Sequence, residues 1–76
     1  MPTEKDPALG EAIRQLRAER SLTQEDLAHL AGMTVANVSR IERADNNPTW
    51  ATIRALAAAC GVSVAELAER ADQLRG

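Results

Sequence analysis

With 76 residues and a formal net charge of −2, the chain has material for one domain. Its nine basic against eleven acidic residues exclude a surface uniformly coated for phosphate binding. It has one Trp and no Phe or Tyr, so a core must be assembled from Leu, Ile, Val, Met and Ala, which favours close-packed helices over a sheet. No run approaches the ~18 consecutive apolar residues of a membrane span. The opening MPTEKDPALG lacks the apolar segment of a signal peptide, so no membrane association and a cytoplasmic location are expected. One cysteine and one histidine give neither a disulfide nor a metal-ligand set, and no cofactor is expected.

In chain order, residues 1–6 are short and polar and are expected to be flexible, leaving a core over about 8–72 of a single 1–76 domain. Asp6-Pro7 predicts a helix start, with Asp as cap and Pro at the first helical position. Leu9, Ile13 and Leu16, with Ala12 beside them, then line one face as far as about Arg20. Arg14, Arg17 and Arg20 recur every third residue on its flank. Gly10 near the first turn is read as a tolerable loss of helix propensity.

A second helix, Gln24 to Ala31, is announced by Thr23 with Asp26 three residues on. Leu27, Leu30 and Ala31 form its expected inner face. His29 is read as a surface or flank histidine, since no second His or Cys joins it as a ligand. Gly32 provides a residue for positive φ at the C-terminus, and Met33 packs across that turn. A third helix, Val35 to about Arg43, follows a Thr34 cap. Val38 and Ile41 point inward, and Ala36, Ser39, Arg40 and Arg43 outward, with Asn37 and Val35 at the borders. Two such short helices about a Gly turn form a helix-turn-helix.

The loop ADNNPTW breaks the helical pattern, with Pro48 disfavouring helical geometry at Asn47, and Thr49 caps a fourth helix, Trp50 to Cys60, carrying Ile53, Leu56, Ala57 and Cys60 on one face. Gly61 ends it, Cys60 fills the core, and Trp50 is expected to cover a core edge. Ser63 and Glu66 form a capping box for a fifth helix, Val64 to Leu74. Val64, Leu67, Ala68, Ala71 and Leu74 follow its apolar period. Leu74 lies beyond the monomer core, as either a contact to a second subunit or a frayed end.

The run LTQEDLAHLAGMTVANVSRIER, preceded by LGEAIRQLRAERS and followed by NNPTWATIRALAAACGVSVAEL, resembles the Cro/cI-type helix-turn-helix family of DNA-binding proteins, also called the xenobiotic-response-element family. The resemblance covers roughly Leu9 to Leu67. It implies an all-α, compact five-helix bundle of the lambda-repressor-like kind that binds double-stranded operator DNA as a homodimer. Val35, Ala36, Asn37, Ser39 and Arg40 would face bases or nearby backbone. Arg17, Gln24, Arg43, Asn46 and Asn47 would face phosphates or the sugar-phosphate chain. Arg17 and Glu42 would also form an ion pair between the first and third helices. At Ala44 many members carry Gly, so this corner is expected to take a different turn. Val35 and Ala36 stand where some relatives have glutamine, and apolar side chains can meet thymine methyls but offer no hydrogen-bond fork.

The function expected is therefore that of a sequence-specific, repressor-like transcriptional regulator, non-enzymatic, working as a homodimer on a pseudopalindromic site. The alternative is a helix-turn-helix scaffold turned to a protein partner, as in an antitoxin-like module, for which the acidic balance speaks. Arg40 would take either a base or a phosphate.

Overall fold

The computed structural model describes residues 5–76 as five helices with no strand among them. They are α1 (Pro7–Glu19), α2 (Gln24–Ala31), α3 (Val35–Glu42), α4 (Trp50–Ala59) and α5 (Val64–Arg75). Each start is set by an oxygen of the preceding side chain accepting a backbone N–H three residues on, at 3.0–3.2 Å, from Asp6, Thr23, Thr34, Thr49 and Ser63. Thr23 and Ser63 complete the reciprocal box with Asp26 and Glu66. The flexible segment expected over 1–6 falls largely on residues 1–4, outside those described. Asp6 is anchored: it caps α1 and its carboxylate pairs with Arg75 at the far end of the chain.

Helix α1 packs against α3 and α5, α2 against α3 and α4, and α4 against α5, whose axis is bent 97° from it. Ile13, Leu27, Val38 and Leu56 are fully buried where these contacts meet, with Ala12, Leu16, Ile41, Ala57, Cys60, Leu67 and Ala71 around them. Small residues let the helices approach closely. The closest approach is at Gly10, where a Cβ would stand 2.6 Å from the Ile41 carbonyl oxygen and 2.7 Å from that of Glu42. Gly10 is thus the seat of α3's C-terminus on α1, and its helix cost is the condition of that contact. Among the described residues no single helix is long and apolar enough to cross a membrane.

The inner face of α2 is corrected. Leu27 and Ala28 are buried and Ala31 half-buried, while Leu30 is 57% exposed. Positions 27, 28 and 31 share a helical face as well as 27, 30 and 31 do, and packing against both α3 and α4 selects the first set. Trp50 does not cover the core; it is 63% exposed at the first position of α4. Ala68 and Leu74 are likewise exposed.

Four helix ends share one turn. A left-handed residue follows α1, α2, α3 and α4 at Ser21, Gly32, Ala44 and Gly61, with φ of 56°, 70°, 61° and 72°. In each, the next N–H returns to a carbonyl five residues back: Leu22 to Arg17, Met33 to Ala28, Asp45 to Arg40 and Val62 to Ala57, at 2.8–3.1 Å. The expectation of a different turn at Ala44 is therefore corrected. Ala44 adopts the glycine conformation with its methyl buried, and burial of that methyl offsets part of the strain.

Two stability changes follow. Gly10→Ala should lower the thermal midpoint although Ala is the better helix former by about 1 kcal/mol, because the added methyl meets backbone carbonyls that cannot rotate away. An unchanged or raised midpoint would show that α1 and α3 part at little cost. Ser21→Gly, at an exposed left-handed site, should gain about 0.5–1 kcal/mol, or a few degrees in thermal midpoint, after the greater freedom of the unfolded Gly chain is deducted. A loss would mean that the Ser21 side chain contributes more than its backbone strain costs.

Candidate nucleic-acid interface

Helix α3 is built to be held by one side and one end. Val38 and Ile41 are its only buried residues, and Val35 and Ala36 in its first turn are exposed. Val35 (40% exposed), Ala36 and Arg40 are exposed, while Asn37 and Ser39 are half-buried at the borders of the face. Ala36 and Arg40 thus emerge outward as expected, Val35 and Asn37 flank the buried face on opposite borders, and Ser39 lies nearer the core than expected. Beyond the helix, Arg43, Asn46 and Asn47 are exposed on the loop that leads to α4.

A polar network fixes the rotation of α3. The Glu42 carboxylate, 4% exposed, receives Arg17 Nε at 2.7 Å, Arg17 Nη2 at 3.2 Å and Gln24 Nε2 at 3.0 Å. Arg17 Nη1 also donates to the Leu22 carbonyl at 2.8 Å. One carboxylate therefore ties α1, the α1–α2 turn and the start of α2 to the end of α3. Of the two roles expected of Arg17, the structure contains the ion pair. Its side chain, 17% exposed, is turned inward to Glu42. Gln24 is also turned to Glu42, and its amide keeps a second N–H for an outside acceptor.

The stripe Arg14, Arg17, Arg20 does not form a basic face. Arg14 pairs with Glu11 on its own helix, and Arg20 Nη2 donates to the Gly61 carbonyl at 3.0 Å. Arg14 holds the Glu11 carboxyl down at about 2, well below the usual carboxylate range. Arg43 is met by Asp45 at 3.2 Å, and Lys5 reaches the same carboxylate at 3.8 Å. Asp45 is a residue that sequence reasoning missed; its two-residue spacing from Arg43 is no helical pairing signal, and only the turn at Ala44 brings the two together. Among the described residues, Arg40 and Arg54 are the cations with no ion pair or hydrogen bond. The first turn of α2 carries Glu25 and Asp26, whereas the first turns of α3 and α4 carry no acid. Asp26 is held below the ordinary aspartate range chiefly by the Thr23 backbone N–H. No group of three or more His, Cys, Asp or Glu among the described residues could hold a metal ion.

Removing one member of the Glu42 network should cost far more than the pair is worth. Glu42→Ala leaves the Arg17 guanidinium mostly buried without its carboxylate and should lose about 3 kcal/mol or more in denaturant unfolding. The double variant Arg17→Met/Glu42→Leu should regain most of that loss. Additive losses in the cycle would show that the two side chains act independently.

A model of the helix-turn-helix domain family matches residues 8–70. The chain is 39% identical over 61 residues to the HTH-type transcriptional regulator DdrOP3 of Deinococcus deserti, covering 80% of this chain and 47% of that protein. It thus spans about half the length of that relative. To the HTH-type transcriptional regulator y4dJ of Sinorhizobium fredii it is 38% identical over 65 residues, 86% of this chain and 84% of that protein. The crystal structure of the clp gene regulator ClgR from C. glutamicum superposes with a TM-score of 0.90 at 25% identity, covering 99% of this chain and 97% of the other. With five helices in the same arrangement and the sequence match across its whole core, this chain belongs to the helix-turn-helix domain family, of the Cro/cI type.

Proposed function

We propose that the chain is a sequence-specific, repressor-like transcriptional regulator that binds duplex DNA as a homodimer. One α3 per subunit enters successive major grooves about 34 Å apart on a pseudopalindromic operator. The observation that carries this reading is the outward half of α3. It presents small side chains with Asn37 and with Arg40, a cation that no carboxylate of the described residues engages.

Val35 and Ala36 meet thymine methyls, Asn37 offers the amide fork that suits adenine, and Ser39 lies beside them. Arg40, further along the helix, takes a guanine edge or a phosphate. Arg43, Asn46, Asn47 and the free N–H of Gln24 contact the sugar-phosphate chain, while Arg17 serves as a positioning residue through Glu42. Regulators that carry the same domain, DdrOP3 and y4dJ among them, support this assignment by their names. Leu74, 38% exposed beside Pro7 and Glu11, is a candidate contact of the dimer. The reading includes no enzymatic step and no cofactor, and its site of action is the cytoplasm. Glu25 and Asp26, exposed on α2, favour the second reading, a scaffold for a basic partner protein.

Selection of bound duplexes from a random pool, followed by fluorescence titration of variants over a salt series, tests the assignment. Asn37→Ala should weaken operator binding by about 1–3 kcal/mol and relax preference at one base pair in each half-site. Arg40→Ala should do the same if Arg40 reads a base; at a phosphate it should weaken all duplexes alike and lower the salt slope by about 1. Unchanged affinity and specificity in both variants would remove α3 from the DNA. Absence of salt-dependent binding to any duplex would transfer support to the partner-protein reading.

A further inference from the structure

We propose that Asp45 is a specificity-determining residue. It occupies two cations that would otherwise neutralise phosphates indiscriminately, Lys5 and Arg43, and yields them to a duplex whose bases fit α3. This deepens the proposed function and rests on its reading of duplex DNA as the ligand. Asp45 Oδ2 meets Arg43 Nε at 3.2 Å, and Oδ1 meets Lys5 Nζ at 3.8 Å. One carboxylate thus uses both oxygens on cations from separate parts of the chain, the end of α3 and the segment ahead of α1.

Backbone geometry puts the carboxylate there. Ala44, with φ of 61° and its methyl buried, turns the chain, and the Asp45 N–H donates to the Arg40 carbonyl at 2.8 Å. That carbonyl lies in the last turn of α3, the negative end of the helix dipole, where a cation is favoured and a carboxylate disfavoured. An acid at this position therefore costs local stability. The pairs with Lys5 and Arg43 offset part of that cost only, because all three side chains are half or more exposed. Pairs so open to water are weak enough for a phosphate oxygen to replace the carboxylate. An arbitrary duplex must meet the cost of that exchange, and of facing Asp45, from phosphate attraction alone. It engages Arg40, which has no carboxylate partner among the described residues. An operator adds the base contacts of Asn37 and its neighbours, and that extra free energy moves Arg43 from Asp45 to a phosphate.

Asp45→Asn keeps the shape of the side chain and removes its charge, and Glu69→Gln removes the same charge from the exposed side of α5. Each full-length variant is titrated over a salt series with the selected operator, with an unrelated duplex, and with inorganic polyphosphate, which has charge but no bases. With Asp45→Asn the unrelated duplex should bind about tenfold tighter or more, its salt slope steeper by about 2 for Lys5 and Arg43. Operator affinity should rise less, with a slope steeper by about 1, because Arg43 already sits on a phosphate there; the preference for operator falls. Adding Lys5→Ala to Asp45→Asn should take the slope on unrelated duplex back by about 1. Glu69→Gln should leave preference and slope where they are, and neither single variant should lower the thermal midpoint. Equal gains on operator and unrelated duplex overturn the proposal and leave the DNA reading intact, as does a gain no larger than that of Glu69→Gln. A chain that selects no duplex, while Asp45→Asn tightens on polyphosphate beyond Glu69→Gln, sinks the DNA reading and leaves the hold of Asp45 on its two cations standing.

Discussion

The orientation of α3 depends on one carboxylate. Burial of Val38 and Ile41 holds the helix to the bundle, but apolar contact is non-directional and two side chains on eight residues leave its roll about its own axis weakly defined. Glu42 supplies direction. It receives three N–H donors from two other helices, and Gly10 lets the last turn of α3 settle on α1 without an intervening methyl. The end of the helix is thereby fixed at two points, and Asn37 and Arg40 inherit their direction from it. A lysine at position 17 would carry the same charge but not the fork that meets both carboxylate oxygens while also reaching the Leu22 carbonyl.

Such pins matter more in this chain than in a larger one. A core without Phe or Tyr, and with its one Trp outside, is built from short side chains that offer little shape to lock a unique packing. Specificity moves to the helix ends. Five side-chain caps and four left-handed turns set where every helix starts and how the chain leaves it, so the loops need only a few residues each. The Arg70–Glu19 pair, 2.6 Å, and the Arg20–Gly61 bond then fasten α1 to α5 and to the α4–α5 turn.

Those devices explain which parts of the molecule were legible beforehand. A cap is local chemistry, so Asp6, Thr23, Thr34, Thr49 and Ser63 could be read from residue type and spacing alone. The inner face of α2 could not, because periodicity over eight residues does not separate Ala28 from Leu30; the neighbours α3 and α4 decide. Gly10 looked like a defect since its reason lies some thirty residues away, at the carbonyls of Ile41 and Glu42. Ser21 and Ala44 carry no glycine to advertise their left-handed turns. For the outward face of α3, spacing gave the side on which Ala36 and Arg40 emerge, and the family resemblance, not geometry, gave the expectation that DNA lies there.

Net charge misleads for a related reason: it sums residues whose charges are already committed. Lys5, Arg14, Arg17, Arg43, Arg70 and Arg75 each face a carboxylate within the chain, and Arg20 a carbonyl. Pairing on the surface is weak and yields to a competing phosphate, so Arg43 can leave Asp45, whereas the inward Arg17 cannot leave Glu42 without stranding a buried charge. In the proposed function an approaching duplex meets a graded surface. Arg40 is free at once, Arg43 is released against Asp45, and the acidic first turn of α2 opposes close approach beside Gln24. A surface of this kind holds arbitrary duplex poorly, because few phosphates can be neutralised without opposing a carboxylate. In the proposed function its discrimination comes from the fit of Val35, Ala36 and Asn37 to particular base edges and from doubling that fit across two subunits. Under that proposal, low net attraction and the value of a second copy follow from one charge arrangement.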